Sequence, residues 1–307
     1  MKPSLNVFFA IGRYFIKYFT VSLTSLLETN QHIDLTIYLI FDFEDISLLD
    51  EVRAFAKSRY GITINLIFQD ISIFKDYRIG KHVSVNTYLR LLLTNIIPED
   101  VDSGLFLDSD TVVTGPLTEL AEMKFAEITD VSKPESEKYI YAVSEIPEQR
   151  IANSNRLTTL GFKTDSYFNA GVMMISLKNW RLTDTSAALL NLANTYMEQL
   201  VFWDQDVLNM HFVNRWTKLD ETYNALHLIC ERPKTPLIVH YAGSSKPWNY
   251  LDRHPYKSCY FKYLELGPYR EDKYVDFSFK KMPYKYYRDF RHFLNYYRQL
   301  LLGNIKR

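Results

Sequence analysis

Leu105-Phe-Leu-Asp-Ser-Asp-Thr-Val-Val113 joins an apolar run to two carboxylates spaced i and i+2, and it closes a repeating pattern that begins near the N-terminus. Leu105 to Leu107 reads as a short strand buried on both faces. Working back from it, the chain alternates between two periods. Leu5 to Ile11 is a first apolar strand, and Tyr14, Tyr18, Val21, Ser25 and Leu26 follow at helical spacing. Leu35 to Phe41 (LTIYLIF) is rich in β-branched and aromatic residues, as strands are. Asp45 to Tyr60 reads as a helix with Asp45 or Ser47 as its N-cap. Ile62 to Phe68 reads as a third strand, and Asn86 to Ile97 as a helix ended by Pro98. This alternation specifies an α/β fold, a mostly parallel sheet with helices on both faces, whose ligands sit at the carboxyl ends of the strands. Beyond Asp110 the pattern loosens. Lys133 to Lys138 reads as a loop, Tyr139 to Val143 and Gly171 to Leu177 as strands, Ser186 to Leu200 as a helix, and Leu237 to His240 as a last short strand.

Composition narrows the class. Of 307 residues, 47 % are apolar and 23 % charged, as in a soluble globular protein, and 36 basic residues balance 36 acidic ones. A general affinity for nucleic acid is therefore not expected. Two cysteines, Cys230 and Cys259, are too few for a disulfide framework or a thiolate zinc site, and free thiols in a reducing compartment are expected. The apolar start at Leu5 to Ile11 is interrupted by Gly12, Arg13 and Lys17, well short of the roughly 18 apolar residues that span a bilayer. It is expected to be a buried strand of a cytoplasmic protein. The tail differs from the rest. Lys280, Lys281, Lys285, Arg288, Arg291, Arg298, Lys306 and Arg307 face a single acid, Asp289, and seven aromatic residues from Tyr284 to Tyr297 interleave with them. A basic, aromatic, helical tail suits anionic lipid headgroups on the inner face of a membrane. Nucleic-acid binding and a helix packed on the main domain are the other readings. The expected division is a domain over 1–265 and a tail over 266–307.

Chemistry concentrates in four segments. In extended backbone, Asp108 and Asp110 point the same way. Carboxylates that converge at a strand end need a cation or hydrogen-bond donors to compensate them. Oxygen ligands suit Mg²⁺ or Mn²⁺, ions that bridge diphosphates. A capped turn is the alternative. Tyr167-Phe-Asn-Ala-Gly-Val-Met-Met-Ile-Ser-Leu177 places an Asn-Ala-Gly turn before a buried strand, where small residues let a ligand approach the backbone. In Trp203-Asp-Gln-Asp-Val-Leu-Asn209, polar side chains precede an apolar helical run, and Asp204 could simply cap it. In His240-Tyr-Ala-Gly-Ser-Ser-Lys-Pro-Trp248, His240 is a candidate metal ligand and Lys246 a candidate phosphate contact.

In this order and spacing, Asp108-Ser-Asp110, Asn169-Ala-Gly171, Asp204-Gln-Asp206 and His240 through Trp248 resemble glycosyltransferase family 8. The resemblance runs from about residue 5 to about residue 250. It implies a GT-A fold, a Rossmann-like mixed sheet flanked by helices. It also implies retaining transfer of a hexose, glucose or galactose, from a UDP-sugar to a glycan, glycolipid or glycoprotein acceptor in a bacterial cell. Asp108, Asp110 and His240 would hold Mn²⁺ or Mg²⁺. Ala10, Tyr14, His82, Arg90, Ser109, Ala170, Gly171, Gly243 and Lys246 would bind the donor, Lys246 and Gly243 at its phosphates. Asn169, Asp204 and Gln205 would surround the transferred sugar as the catalytic set, with Glu145 near the acceptor.

One segment departs from the family pattern. Where bacterial members carry Ala-Ala-Asp-Asp-Asn-Tyr or close to it, this chain has Phe9-Ala-Ile-Gly-Arg-Tyr14, so the acidic partner of the uracil is missing. Tyr14 remains to stack on a base. That change motivates an alternative, a non-catalytic subunit on the same fold. A haloacid-dehalogenase phosphatase shares the strand-Asp-x-Asp-x-Thr pattern, but it also needs a later Asp-Asp or Gly-Asp motif, and the chain contains neither dipeptide.

Overall fold

The computed structural model describes residues 2–77, 85–126, 139–226 and 235–284, with 286–287, 290–291, 294 and 298 of the tail. His82, Cys230 and the Lys133 to Lys138 loop lie outside the described residues, as do Lys285, Arg288 and Asp289 of the tail and its last residues.

In chain order the elements are β1 (Ser4–Ile11), α1 (Ile16–Thr29), β2 (Asp34–Phe41), α2 (Asp50–Tyr60), β3 (Ile64–Phe68), β4 (Ser103–Leu107), β5 (Thr111–Val113), β6 (Ile140–Ser144), α3 (Pro147–Thr159), β7 (Phe168–Ser176), α4 (Leu177–Leu182), α5 (Thr185–Thr195), α6 (Trp203–His211), β8 (Trp216–Lys218), β9 (Ala225–Leu226), β10 (Ile238–His240) and α7 (Lys257–Leu266). A seven-stranded sheet runs β3-β2-β1-β4-β7-β6-β8, and a three-stranded sheet runs β5-β10-β9. The β1, β2, β3 and β4 pairings are parallel, whereas β7 runs antiparallel to both β4 and β6. This is the mixed, helix-flanked sheet that the alternation specified.

Side-chain alternation builds two cores, one on each face. In β1, Phe9 and Ile11 pack with Phe19 and Leu23 of α1, whereas Phe8 packs on the opposite face with Leu89, Met173 and Leu208. Leu105 and Leu107 of β4 share the first core and Phe106 the second. A third cluster joins Val21 of α1 and Val112 and Val239 of the small sheet to Trp248 and to Tyr260, Tyr263 and Leu264 of α7.

Three expected helices differ in detail. The Asp45 to Tyr60 segment opens as a 3₁₀ turn over Ile46–Leu49, and α2 begins at Asp50 behind an N-cap, Leu49, that makes no side-chain bond. Ser47 Oγ bonds Asp45 Oδ1 at 2.5 Å instead, so neither expected cap acts on α2. The expected Asn86 to Ile97 helix is a 3₁₀ helix over Val85–Leu92 followed by one α-turn, Leu93–Ile96, which stops before Pro98. In a 3₁₀ helix residues i and i+3 eclipse, which stacks Thr87 over Arg90, and both side chains reach Asp204. The helix expected over Ser186 to Leu200 closes at Thr195.

Strand order fixes where a ligand fits. After β1 the chain crosses to β2 on one side and later returns to β4 on the other, so the carboxyl ends of β1 and β4 form a topological switch point. Because β7 is antiparallel, Leu107 pairs with Val172 and the start of β7 meets that same edge.

Candidate active site

At the switch point, several chain segments converge on a cavity of about 400 Å³ lined by Ala10, Ile11, Gly12 and Phe15 from the β1 end and by Asp108, Ser109 and Asp110 from the β4 end. Asn169, Ala170 and Gly171 at the start of β7 also line it, as do Asp204 and Gln205 of α6, Arg90, Glu145, His240, Gly243 and Lys246. Every described residue that the family pattern nominated is there except Tyr14. Tyr14 is 82 % exposed, and Phe15 contributes to the lining in its place.

Backbone pairing brings the carboxylates and the imidazole together. Asp108 N–H donates to Gly171 O at 2.8 Å, and Thr111 Oγ1 donates to Asp108 O at 2.8 Å, closing a tight turn after β4. Thr111 then pairs with His240, and Tyr241 N–H donates to Asp110 O at 2.9 Å. As a result, one ligand atom from each of Asp108, Asp110 and His240 falls within 4.8 Å of the others. His240 Nε2 stands 3.3 Å from Asp110 Oδ1 and 3.8 Å from Asp108 Oδ2. Two carboxylate oxygens and an imidazole nitrogen suit Mn²⁺ or Mg²⁺, with positions left for phosphate and water. Gly171 makes room for this cluster. A Cβ placed there would lie 2.7 Å from His240 Nδ1 and 2.8 Å from Asp108 Oδ2, and nearer still to His240 Cε1. The donor set fits a hard divalent cation.

Fixed cations balance the acids. Arg90, only 5 % exposed, places Nη2 2.6 Å from Asp108 Oδ1 and Nε 2.9 Å from Asp204 Oδ2, and donates to Ala170 O. Burial opposes its charge, but Asp108 and Asp204 outweigh that and raise its proton affinity above the ordinary arginine range. Lys246 Nζ reaches Asp110 Oδ2 at 2.5 Å and Tyr241 O at 2.6 Å. Burial pushes the Asp110 carboxyl up, but Lys246 and His240 reverse the effect and hold it far below the usual range. At Asp204 burial wins: despite Arg90 and a 2.6 Å bond from Thr87 Oγ1, its pKa is pushed up to about 6.

The remaining cavity residues are held from behind. Gln205 Oε1 accepts Ala170 N–H at 3.0 Å. A backbone N–H only donates, which fixes the orientation of that amide. Asp206, fully buried, accepts from Tyr167 Oη at 2.6 Å and from Val201 and Phe202 N–H at 2.7 and 2.9 Å, and pairs with Arg156. It anchors the turn in which Trp203 adopts φ 46°, a strained value for a bulky residue that sets Asp204 and Gln205 at the start of α6. Glu145 bonds Asn169 Nδ2 at 2.8 Å. Asn224 and Thr87 complete the site, and neither carries a sequence signal of its own.

A GT-A-type fold is the class that this mixed, helix-flanked sheet defines. The family model for glycosyl transferase family 8 matches residues 6–252, most of the chain. The lipopolysaccharide 1,2-glucosyltransferase of Escherichia coli is 27 % identical over 293 residues, covering 89 % of this chain and 81 % of that one. The lipopolysaccharide 1,3-galactosyltransferase of Salmonella typhimurium is 26 % identical, covering 86 % and 79 %. Among solved structures, the galactosyltransferase LgtC in complex with donor and acceptor sugar analogs superposes with a TM-score of 0.73 at 20 % identity, over 90 % of this chain and 99 % of that chain. The chain belongs to glycosyltransferase family 8.

Proposed function

We propose that the cavity binds a UDP-hexose with Mn²⁺ or Mg²⁺ and transfers glucose or galactose to a glycan, glycolipid or glycoprotein acceptor with retention of anomeric configuration. The observation that carries the reading is the convergence of Asp108, Asp110 and His240 at the edge of a cavity that also holds Lys246, Arg90 and Gln205. The bound cation would neutralise charge on the diphosphate and stabilise it as it leaves. Lys246 adds a fixed positive charge on the same side, and Gly243, at φ 75°, lets the backbone turn beside it. Arg90 and Asp204, paired and buried, orient the sugar hydroxyls together with Asn169.

Gln205 lines the cavity with an amide oxygen, a poor nucleophile beside a carboxylate. Attack from the face of the leaving group follows. The C1–O bond to the diphosphate breaks, the acceptor oxygen bonds to C1 on the same face, and the acceptor proton passes to the departing diphosphate oxygen. Gln205 Oε1, held by Ala170 N–H, places its remaining lone pair against the positive charge that develops on the sugar. Incubation with UDP-glucose or UDP-galactose and Mn²⁺, followed by NMR of the product's anomeric proton, tests this. An α-linked product formed from the α-linked donor is expected, and a β-linked product would overturn the retaining reading.

No helix among the described residues is long and apolar enough to cross a membrane. The tail supports peripheral contact instead, with the protein working from the cytoplasmic side. Lys280 and Arg291 are exposed, and so are Phe279, Tyr284, Tyr286, Tyr287 and Phe290, in a segment whose described residues from Lys281 onward are helical. The preceding residues are built into the domain: Asp276 accepts Tyr250 N–H at 2.6 Å and Lys281 Nζ at 2.6 Å, and Phe277 packs on Tyr250. A truncation ending at Met282 therefore removes the tail while sparing the fold. Flotation with anionic vesicles is expected to fall sharply in the truncated protein, and equal flotation of the two would end the idea.

A further inference from the structure

Asn224 is fully buried immediately before β9, and its side chain sits between Asn169 and His240. Four side chains form a line. Asn169 Nδ2 lies 2.8 Å from Glu145 Oε1, Asn224 Nδ2 lies 2.9 Å from Asn169 Oδ1, and Asn224 Oδ1 lies 3.0 Å from His240 Nδ1. The oxygen and nitrogen of an amide have nearly the same shape, so the direction of such a line follows from neighbours that can play only one role. Gly171 N–H can only donate, and it meets the Asn169 side chain at 3.0 Å. The atom it meets is therefore Oδ1, which leaves Asn169 Nδ2 to donate to Glu145. Facing an acceptor already defined, Asn224 must present its own Nδ2, and so it turns Oδ1 toward the imidazole. An amide oxygen only accepts, so His240 Nδ1 must carry a proton.

We infer that Asn224 is a positioning residue that holds the His240 ring as its Nδ1–H tautomer, so that the Nε2 lone pair faces the metal position between Asp108 and Asp110. A ligating histidine needs its other ring nitrogen fixed in this way, because the wrong tautomer presents a proton to the cation. The polarity of the relay begins at the backbone of Gly171, so the turn that lines the sugar side of the cavity also sets the state of a metal ligand. A carboxyl at the far end, Glu145, stabilises the same direction. The ligand role and the free Nε2 rest on the metal reading above, whereas the proton on Nδ1 rests on the hydrogen bonds alone.

The test compares the full-length wild type with Asn224→Ala, which removes the acceptor, and Asn224→Asp, which keeps an oxygen toward Nδ1. Free Mn²⁺ is titrated by electron paramagnetic resonance with UDP present, melting temperature is recorded, and ¹⁵N histidine spectra are taken without metal. Asn224→Ala should weaken Mn²⁺ binding by about 10–100-fold with a modest fall in melting temperature from the buried groups left unpaired, and Asn224→Asp, which restores an acceptor toward Nδ1 but sets an oxygen against Asn169 Oδ1, should recover part of the lost affinity. In the metal-free wild type Nδ1 should carry a proton throughout, whereas in the Ala variant, which offers it no amide acceptor, Nδ1 should be protonated only in part. Wild-type affinity in Asn224→Ala, or a wild-type ring with no proton on Nδ1, would overturn the inference. Should the Ala variant not fold, the Asp variant's affinity and the wild-type ring spectrum decide it. Absence of Mn²⁺ binding in the wild type would remove the metal reading and the ligand role with it, while the ring spectrum would still judge the relay.

Discussion

Gly171→Ala is expected to leave a folded chain that no longer responds to UDP with Mn²⁺. The added methyl would occupy the space against His240 Cε1 and Nδ1 and Asp108 Oδ2. His240 cannot retreat while Nδ1 stays bonded to Asn224, and Asp108 is tied to Gly171 O through its own N–H. One ligand or the other must move by an ångström or so, a displacement that costs at least about a hundredfold in turnover. Initial rates and a UDP–Mn²⁺ melting shift measured on the same preparation check this. Near-wild-type turnover would mean that the ligand set lies elsewhere.

Arg90→Met is expected to have the largest effect on stability. It strands Asp108 and Asp204 without their shared partner and leaves Ala170 O without its donor. Breaking a buried ion pair from one side costs about 3–5 kcal/mol, a fall on the order of 10 °C in melting temperature for a domain of this size. The loss should depend on pH. Asp204 titrates at about 6 in the fold, above the ordinary carboxylate value, and Arg90 is what keeps it from rising further. A group whose pKa is raised on folding favours the fold at low pH and disfavours it as pH climbs through the folded value. The variant should therefore melt closer to wild type at about pH 5 than at about pH 8. Melting curves at the two pH values check this, and an equal gap at both would remove Asp204 from the explanation.

Much of this was legible in the residues. The alternation up to Leu107 specified the sheet, because β1, β2 and β4 are apolar enough to be buried on both faces. The Asp108-Ser-Asp110 pair announced itself by following such a strand. What the sequence hid depends on long-range register. Only the pairing of Thr111 with His240, 129 positions apart by subtraction, places the imidazole beside the carboxylates. Asn224 is a common residue type whose meaning comes from standing between Asn169 and His240 across a two-residue strand. The 3₁₀ winding of Val85–Leu92 was misread as α-helical because its apolar residues satisfy both periods. Tyr14 was expected to face the nucleotide because an aromatic ring after β1 suits a base, but the 3₁₀ turn Arg13–Phe15 aims Phe15 at the cavity and leaves Tyr14 exposed.

Thermal unfolding with UDP, with Mn²⁺, with both and with neither tests the proposed donor site most directly. A ligand at about a hundredfold over its dissociation constant adds about 2.7 kcal/mol to stability, a rise of several degrees. The site described above predicts a rise that needs UDP and Mn²⁺ together and disappears in Asp110→Asn. No rise with any nucleotide, with or without the metal, would contradict it and favour the alternative in which this family-8 fold serves as a non-catalytic subunit.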